Sequence, residues 1–227
     1  MDGDRVKEAI LKDGFIVIAA GEVGQRVEVF REKKYPFLAE GGLYFLKDTL
    51  AETKVVETVE SLFERSGLGM FTVFGPHPDT ARAPLNRTSD ELLVVNVLHC
   101  GPGSKIILYE NSHKYFLDAR PPARKEDDTG FLEKLRTAMR KPGITEVEKT
   151  LPDGGFVFLD GRFFTTILQG VVLEVAFADE KELNEWNPMQ LPESRVLESI
   201  VDSMERERIK INIKFVKWHD ISLITGQ

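Results

Sequence analysis

The chain reads as a mainly β domain with flanking helices, an α+β arrangement in which a helical N-terminal layer covers a β-sandwich. Three observations predict this. Before Gly67, apolar residues recur at helical spacing between charges. After it, they fall into short runs of Val, Ile, Leu and Phe, most of them bounded by Gly, Pro, Asn or Asp. The 227 residues, 42% hydrophobic and 30% charged, contain neither a repeat nor a low-complexity linker, which favours one domain over 1–227. Within it the expected parts are a helical buttress over 1–66, a β core over 67–216 with a helical insertion at 127–140, and a tail over 217–227.

The elements follow in order. Residues 4–13 place Val6, Ala9 and Ile10 on one face of a short helix, and Asp13-Gly14 stops it. Phe15 to Ala19 reads as a strand. Over 22–34, Val23, Val27, Val29 and Phe30 alternate with charges, so helix and strand are both open and helix is favoured. Gly41-Gly42 is expected to break the chain. Leu43 to Arg65 is helical, split near Thr53, with Leu46, Leu50, Val55, Val59, Leu62 and Phe63 facing a core. Strands are expected at Met70–Phe74, Leu92–Leu98, Ser104–Glu110, Gly155–Leu159 and Val171–Ala178. Helical pieces are expected at Asp127–Arg140, from Phe131, Leu132, Leu135 and Met139, and again at Glu180–Trp186 and Glu193–Glu207. Ile209, Ile211, Ile213 and Phe215 alternate with polar residues, as in a half-buried strand.

Composition narrows the function. A net charge of −7 argues against nucleic-acid or anionic-membrane partners, and no apolar run approaches the roughly 20 residues of a membrane span. The acidic opening Met1-Asp2-Gly3-Asp4 is unlike a secretory signal. A single cysteine, Cys100, suits a reducing cytoplasm. Only four histidines are present, His77, His99, His113 and His219, so imidazole chemistry draws on a short list.

Three constellations stand out. His77 and Asp79, in Gly75-Pro76-His77-Pro78-Asp79, have the spacing of two ligands in a 2-His-1-carboxylate Fe(II) site. Two prolines and a turn explain the same residues as a solvent loop, and that reading weighs more. Gly101-Pro102-Gly103-Ser104 reads as a tight turn between strands, with His113-Lys114 a polar loop beyond them and His99 a packed strand residue. Pro152 to Arg162 is a turn, a buried strand and a polar exit. No phosphate loop, nucleophile elbow, zinc motif, C-x-x-C pair or dinucleotide fingerprint is present.

Together these pieces resemble the phytanoyl-CoA dioxygenase-like branch of the Fe(II)/2-oxoglutarate oxygenases. Ile10 to Ile18 is similar to that family's first helix and strand. Gly101–Ser104 with Asn111-Ser112-His113-Lys114 is similar to its "G-S-H-K" turn, and Asp153 to Arg162 to the strand that delivers the distal histidine. The resemblance implies a double-stranded β-helix, or jelly roll, for the 67–216 core. It implies His77 and Asp79 as the H-x-D pair. The distal histidine it implies is missing, since Phe163 to Gly170 holds Thr165 and Thr166 instead. It also implies an Arg or Lys for the 2-oxoglutarate carboxylate, and Val171 to Ala178 offers none. Such a charge-assisted contact is worth about 1.5–3 kcal/mol.

Three functions remain open. The favoured one is a non-catalytic, cofactor-free protein that acts as partner, homologous or self, of an active oxygenase in secondary metabolism, a pseudoenzyme in a heterodimer. Its expected contact surfaces are Phe131–Met139 and the tail with Trp218 and Ile221–Ile224. The second is an active oxygenase with Fe(II) and 2-oxoglutarate on His77 and Asp79, closed by His219 or His113. The third is a metal-free isomerase, cyclase or small-molecule binder with Tyr109, Arg162, Thr165 and Gln169 as polar anchors in the cavity.

Overall fold

The computed structural model describes residues 3–84, 91–115 and 131–217. The expected tail beyond Lys217, with Trp218 and His219, and the first part of the 127–140 insertion lie outside the described residues.

Four helices come first. Helix α1 (Gly3–Asp13) buries Val6 and Ile10 and leads through Gly14 into strand β1 (Phe15–Ala19). Helix α2 (Gly21–Glu32) settles the helix-or-strand alternative, because Val23, Val27 and Phe30 fall on one buried face. Helices α3 (Glu40–Ala51) and α4 (Thr53–Leu62) are separated by Glu52 alone, whose backbone is extended at φ −70° and ψ 110°. The Gly41-Gly42 pair does not break the chain; it lies in the first turn of α3. A Cβ on Gly42 would sit 2.5 Å from the Phe37 carbonyl oxygen, so the bare glycine lets the preceding loop fold onto the helix start.

The strands follow as β2 (Ser66–Phe74), β3 (Thr80–Pro84), β4 (Val94–Cys100) and β5 (Ser104–Glu110), then β6 (Phe131–Leu135) and β7 (Thr145–Leu151). Next come β8 (Gly155–Asp160), β9 (Thr165–Gln169) and β10 (Val172–Asp179). Helix α5 (Glu180–Leu183), β11 (Met189–Pro192), α6 (Arg195–Asp202), β12 (Ile209–Ile211) and β13 (Ile213–Val216) complete the order. One sheet runs β1-β8-β4-β10-β2-β12 and a second runs β6-β3-β9-β5-β7. Their central parts, β8-β4-β10-β2 and β3-β9-β5-β7, are the two halves of a double-stranded β-helix. Among the described residues no helix is long and apolar enough to cross a membrane.

Among the strands, two expectations need correction. The described part of the 127–140 insertion is a strand, β6, paired antiparallel with β3, followed by one 3₁₀ turn at Arg136–Met139. Its apolar residues do not share a face: Met139 is fully buried while Leu135 is 68% exposed. Pairing with the open edge of β3 satisfies its backbone instead. The run Ile209–Val216 is not one strand. It breaks at Asn212, whose N–H donates to the Leu68 carbonyl, and its halves join different sheets, β12 beside β2 and β13 beside β11.

Strands β4, β8 and β10 are buried on both faces, apart from the last residue of β10. Val95, Val97, Phe156, Phe158, Leu173, Val175 and Phe177 pack against the helices. Their neighbours in sequence, Leu98, Cys100, Val157, Leu159 and Val172, face the interior between the sheets with Ile106, Leu108 and Phe163. Two-sided burial explains why these strands read as continuous apolar runs.

His113, expected on a polar loop, is 5% exposed and stacks on Phe163 with ring centroids 5.8 Å apart. The turn at Gly14 covers it. Gly14 has φ +83°, and a Cβ there would lie 2.4 Å from His113 Nδ1. Gly14→Ala should therefore lose about 2–4 kcal/mol, from left-handed backbone strain plus overpacking. A denaturant titration reads this as a lowered midpoint at unchanged slope; a wild-type midpoint would contradict the close packing.

Candidate functional site

Strand alternation brings a small polar set to one place inside an apolar barrel. Asn96 and Leu98 point inward because Val95 and Val97 point to the helices, and Glu174 points inward in phase with Val172 and Ala176. β10 pairs with β4 so that Glu174 is opposite Leu98 and Ala176 opposite Asn96, which sets Asn96 and Glu174 diagonally on adjacent strands. From the facing sheet come Arg82 on β3 and Thr165 on β9, with His77 and Thr80 at the β2–β3 link. Together with apolar residues such as Phe74 and Leu159 they line a cavity of about 20 Å³, room for about one water-sized group.

The polar groups in this cavity are incompletely matched. Asn96 is 1% exposed and neither atom of its amide has a hydrogen-bond partner. Glu174 is 4% exposed and its Oε1 has none either. Each such group costs about 1–3 kcal/mol when left unpaired in the interior. Burial pushes the Glu174 carboxyl up to about 8, against the opposing influence of Arg82, so it holds its proton at neutral pH. The Arg82 guanidinium is committed elsewhere: Nε donates to Glu133 Oε1 at 2.6 Å, and its carbon lies 5.2 Å from the Phe74 ring centre.

The residues singled out from the sequence are dispersed around this cavity. His77 is exposed at its mouth, and its backbone N–H donates to the Ile167 carbonyl at 2.8 Å, tying the loop to β9. Asp79 is exposed and does not line the cavity; its carbonyl accepts from the Arg136 N–H at 2.8 Å. Thr165 does line it, with Oγ1 donating to the Ile107 carbonyl at 2.8 Å. Tyr109 does not. Leu108 takes the inward position, so Tyr109 turns to the outer face, where its hydroxyl lies 3.0 Å from Thr166 Oγ1 beside Met139. Arg162 is drawn to the buried Asp160, 2.9 Å from Nε and 2.6 Å from Nη2. Gln169 is exposed at the end of β9.

The other histidines described serve packing. His99 faces the helices between Phe45 and Phe156, 5.0 Å from each ring centre, with Nε2 3.1 Å from Thr49 Oγ1. Burial pushes its pKa down to about 3, so the ring is neutral. Burial also pushes the Cys100 thiol up to about 12, which leaves it unreactive.

An Fe(II)/2-oxoglutarate pair does not fit the described residues. No three His, Cys, Asp or Glu side chains among them are grouped to hold a metal ion. In the stretch where the resemblance expects a cation, the inward charge is an acid, Glu174. Sequence reasoning passed over Glu174, Asn96 and Arg82. The available signal was a lone carboxylate in Val171–Ala178 and a lone amide in Val94–Leu98, since polar residues inside fully buried strands rarely lack a purpose.

No family model matches the chain, and no curated protein matches it. Solved structures do. The non-heme alpha ketoglutarate-dependent epimerase SnoN from nogalamycin biosynthesis, seen with Fe3+, alpha ketoglutarate and nogalamycin RO, aligns with TM-score 0.55 and 12% identity over 78% of this chain and 83% of its own. The shared fold is the double-stranded β-helix. HygX from Streptomyces hygroscopicus, with nickel, 2-oxoglutarate and hygromycin B bound, aligns with TM-score 0.52 and 12% identity over 85% of this chain and 92% of its own. AviO1 from Streptomyces viridochromogenes Tue57 aligns with TM-score 0.50 and 14% identity over 79% and 96%. At these identities the likeness establishes the fold, with its helical cover, and leaves the chemistry to the residues.

Glu174 makes stability depend on pH in a definite direction. Its carboxyl titrates near 8 when folded and near 4.5 when unfolded, so between those values the folded state holds a proton that the unfolded state has released. Stability therefore falls as pH rises through that window, by up to about 1.4 kcal/mol per unit from this group. Glu174→Gln should remove that component and be more stable than wild type at pH 9 by at least about 1 kcal/mol. Parallel melting curves of the two proteins from pH 4 to 9 check this, and curves that keep a constant separation would contradict it.

Proposed function

We propose that this chain uses its jelly roll as a binding chamber for a small polar molecule and does not run Fe(II)/2-oxoglutarate chemistry of its own. The observation that carries the reading is the polar interior wall of Asn96 and Glu174, unpaired and uncharged where a carboxylate co-substrate needs a cation. This is the metal-free alternative among the functions read from the sequence, and Thr165 is the one of its four expected anchors that lines the cavity. The motifs Gly101–Ser104 and Asn111–Lys114 support a place beside the phytanoyl-CoA dioxygenase-like branch. The nogalamycin RO bound to SnoN and the hygromycin B bound to HygX support a setting in secondary-metabolite biosynthesis. The lone cysteine supports a cytoplasmic one.

Anaerobic titration with Fe(II) and 2-oxoglutarate tests the reading. The expected result is no visible charge-transfer band; a band that His77→Ala abolishes would overturn it and restore the active-oxygenase alternative, with His77 and Asp79 as ligands.

A second reading has the chain also serve as the non-catalytic partner of an active homologous oxygenase, or of a second copy of itself. What favours it is Val29 on α2 and Tyr44 on α3, 48% and 49% exposed, which line one surface groove with Phe30 and Phe45. Light scattering of the pure chain, and of the chain mixed with such an oxygenase, should then report a complex that Val29→Glu with Tyr44→Glu dissociates. A monomer in both samples would rule this reading out.

A further inference from the structure

We infer that the cavity between the two sheets, lined by β4 and β10 on one side, takes a primary ammonium group, with Glu174 as its counter-ion and the Asn96 amide oxygen as a second acceptor. This rests on the chamber reading and adds the class of ligand.

Asn96 Oδ1, Asn96 Nδ2 and Glu174 Oε1 are all buried without partners, and both side chains point into the same small space. An ammonium group supplies three donors. Seated between the two side chains, it donates to Glu174 Oε1 and Asn96 Oδ1 together.

Charge selects the sign of the ligand. Among the described residues the titratable groups lining the cavity are Glu174, Arg82 and His77. The Arg82 charge is matched by Glu133 in the ion pair across β3 and β6. His77 sits exposed at the mouth. An ionised Glu174 therefore leaves one uncompensated negative charge inside the barrel. A bound anion would add a second, and a neutral ligand would leave the carboxyl protonated. A cation removes the cost of burying the charge.

Size selects the shape. A cavity of about 20 Å³ favours a compact head group, as an ammonium is and a quaternary ammonium is not. Whatever the ammonium is attached to must extend outward past His77 and Thr80. At neutral pH the balance is a simple exchange: the ammonium enters with its charge, and Glu174 gives its carboxyl proton to solvent.

Calorimetry with n-butylammonium, in two buffers of different ionisation enthalpy, tests this on the intact chain. Wild type should bind with release of close to one proton per ligand at pH 7 and much less at pH 9. Glu174→Gln should bind at least about tenfold more weakly and release no proton, while tetramethylammonium and butyrate should not compete. A melting curve checks that the variant is folded; if it is not, proton release by wild type decides the matter. Binding of butyrate instead of butylammonium would overturn the inference and leave the chamber reading standing, with Arg82 as anchor. Failure of folded wild type to bind the amine, or binding that Glu174→Gln leaves unchanged, would also overturn it. An Fe(II)/2-oxoglutarate band in the separate titration would remove the chamber reading itself, and this inference with it.

Discussion

The structure depends on one constraint: three adjacent strands, β4, β8 and β10, are buried on both faces and serve two cores at once. Val95, Val97, Phe158 and Val175 hold the helical layer, while Leu98, Val157 and Leu159 fill the barrel. Because the side-chain period of a strand is two, a one-residue slip in any of the three would exchange the cores. The placement of the cavity follows from the same phase. Asn96 and Glu174 face inward for the reason that Val95 and Val175 face outward, so the polar wall is held in position by the packing of the helices.

That wall is a weak point in an otherwise apolar interior. Several buried groups elsewhere in the molecule are matched. The Thr49 hydroxyl meets the ring of His99, and Thr166 links Tyr109 to the Thr80 carbonyl. Ser112 Oγ accepts the Phe164 N–H at 2.9 Å, which anchors the Asn111–Lys114 motif beneath the barrel strand that follows. The unpaired atoms of Asn96 and Glu174 differ from the unpaired ring nitrogens of His99 and His113 in lining a common cavity, and a ligand that pairs them stabilises the folded chain by mass action.

Much of the fold was legible because burial leaves a plain signature. The strand Ser104–Glu110 and the helix pair divided near Thr53 were read within a residue or so, as was Gly155–Leu159. Strands β3, β7, β9 and β11 escaped. β7 is Thr145-Glu146-Val147-Glu148-Lys149-Thr150-Leu151, largely solvent-facing and paired only with β5, so no apolar run announces it. The insertion before Arg140 carried helical spacing that an open strand edge overrode. The site was less legible than the fold, because periodicity says that neighbours face opposite ways but not which way is in. Tyr109 and Leu108 illustrate this, and His113 was placed on a loop when the Gly14 turn buries it. Two of the polar residues that do face inward are an acid and an amide, types that no histidine or cation motif marks.

The ion pair of Arg82 with Glu133 also governs what residue 174 can become. A cation installed there would face the guanidinium already inside the barrel, with no second acid among the described lining residues to match it. Removing Arg82 instead would take this partner from Glu133 at the β3–β6 edge. The interior therefore tolerates a neutral residue at 174 more readily than a reversal of sign.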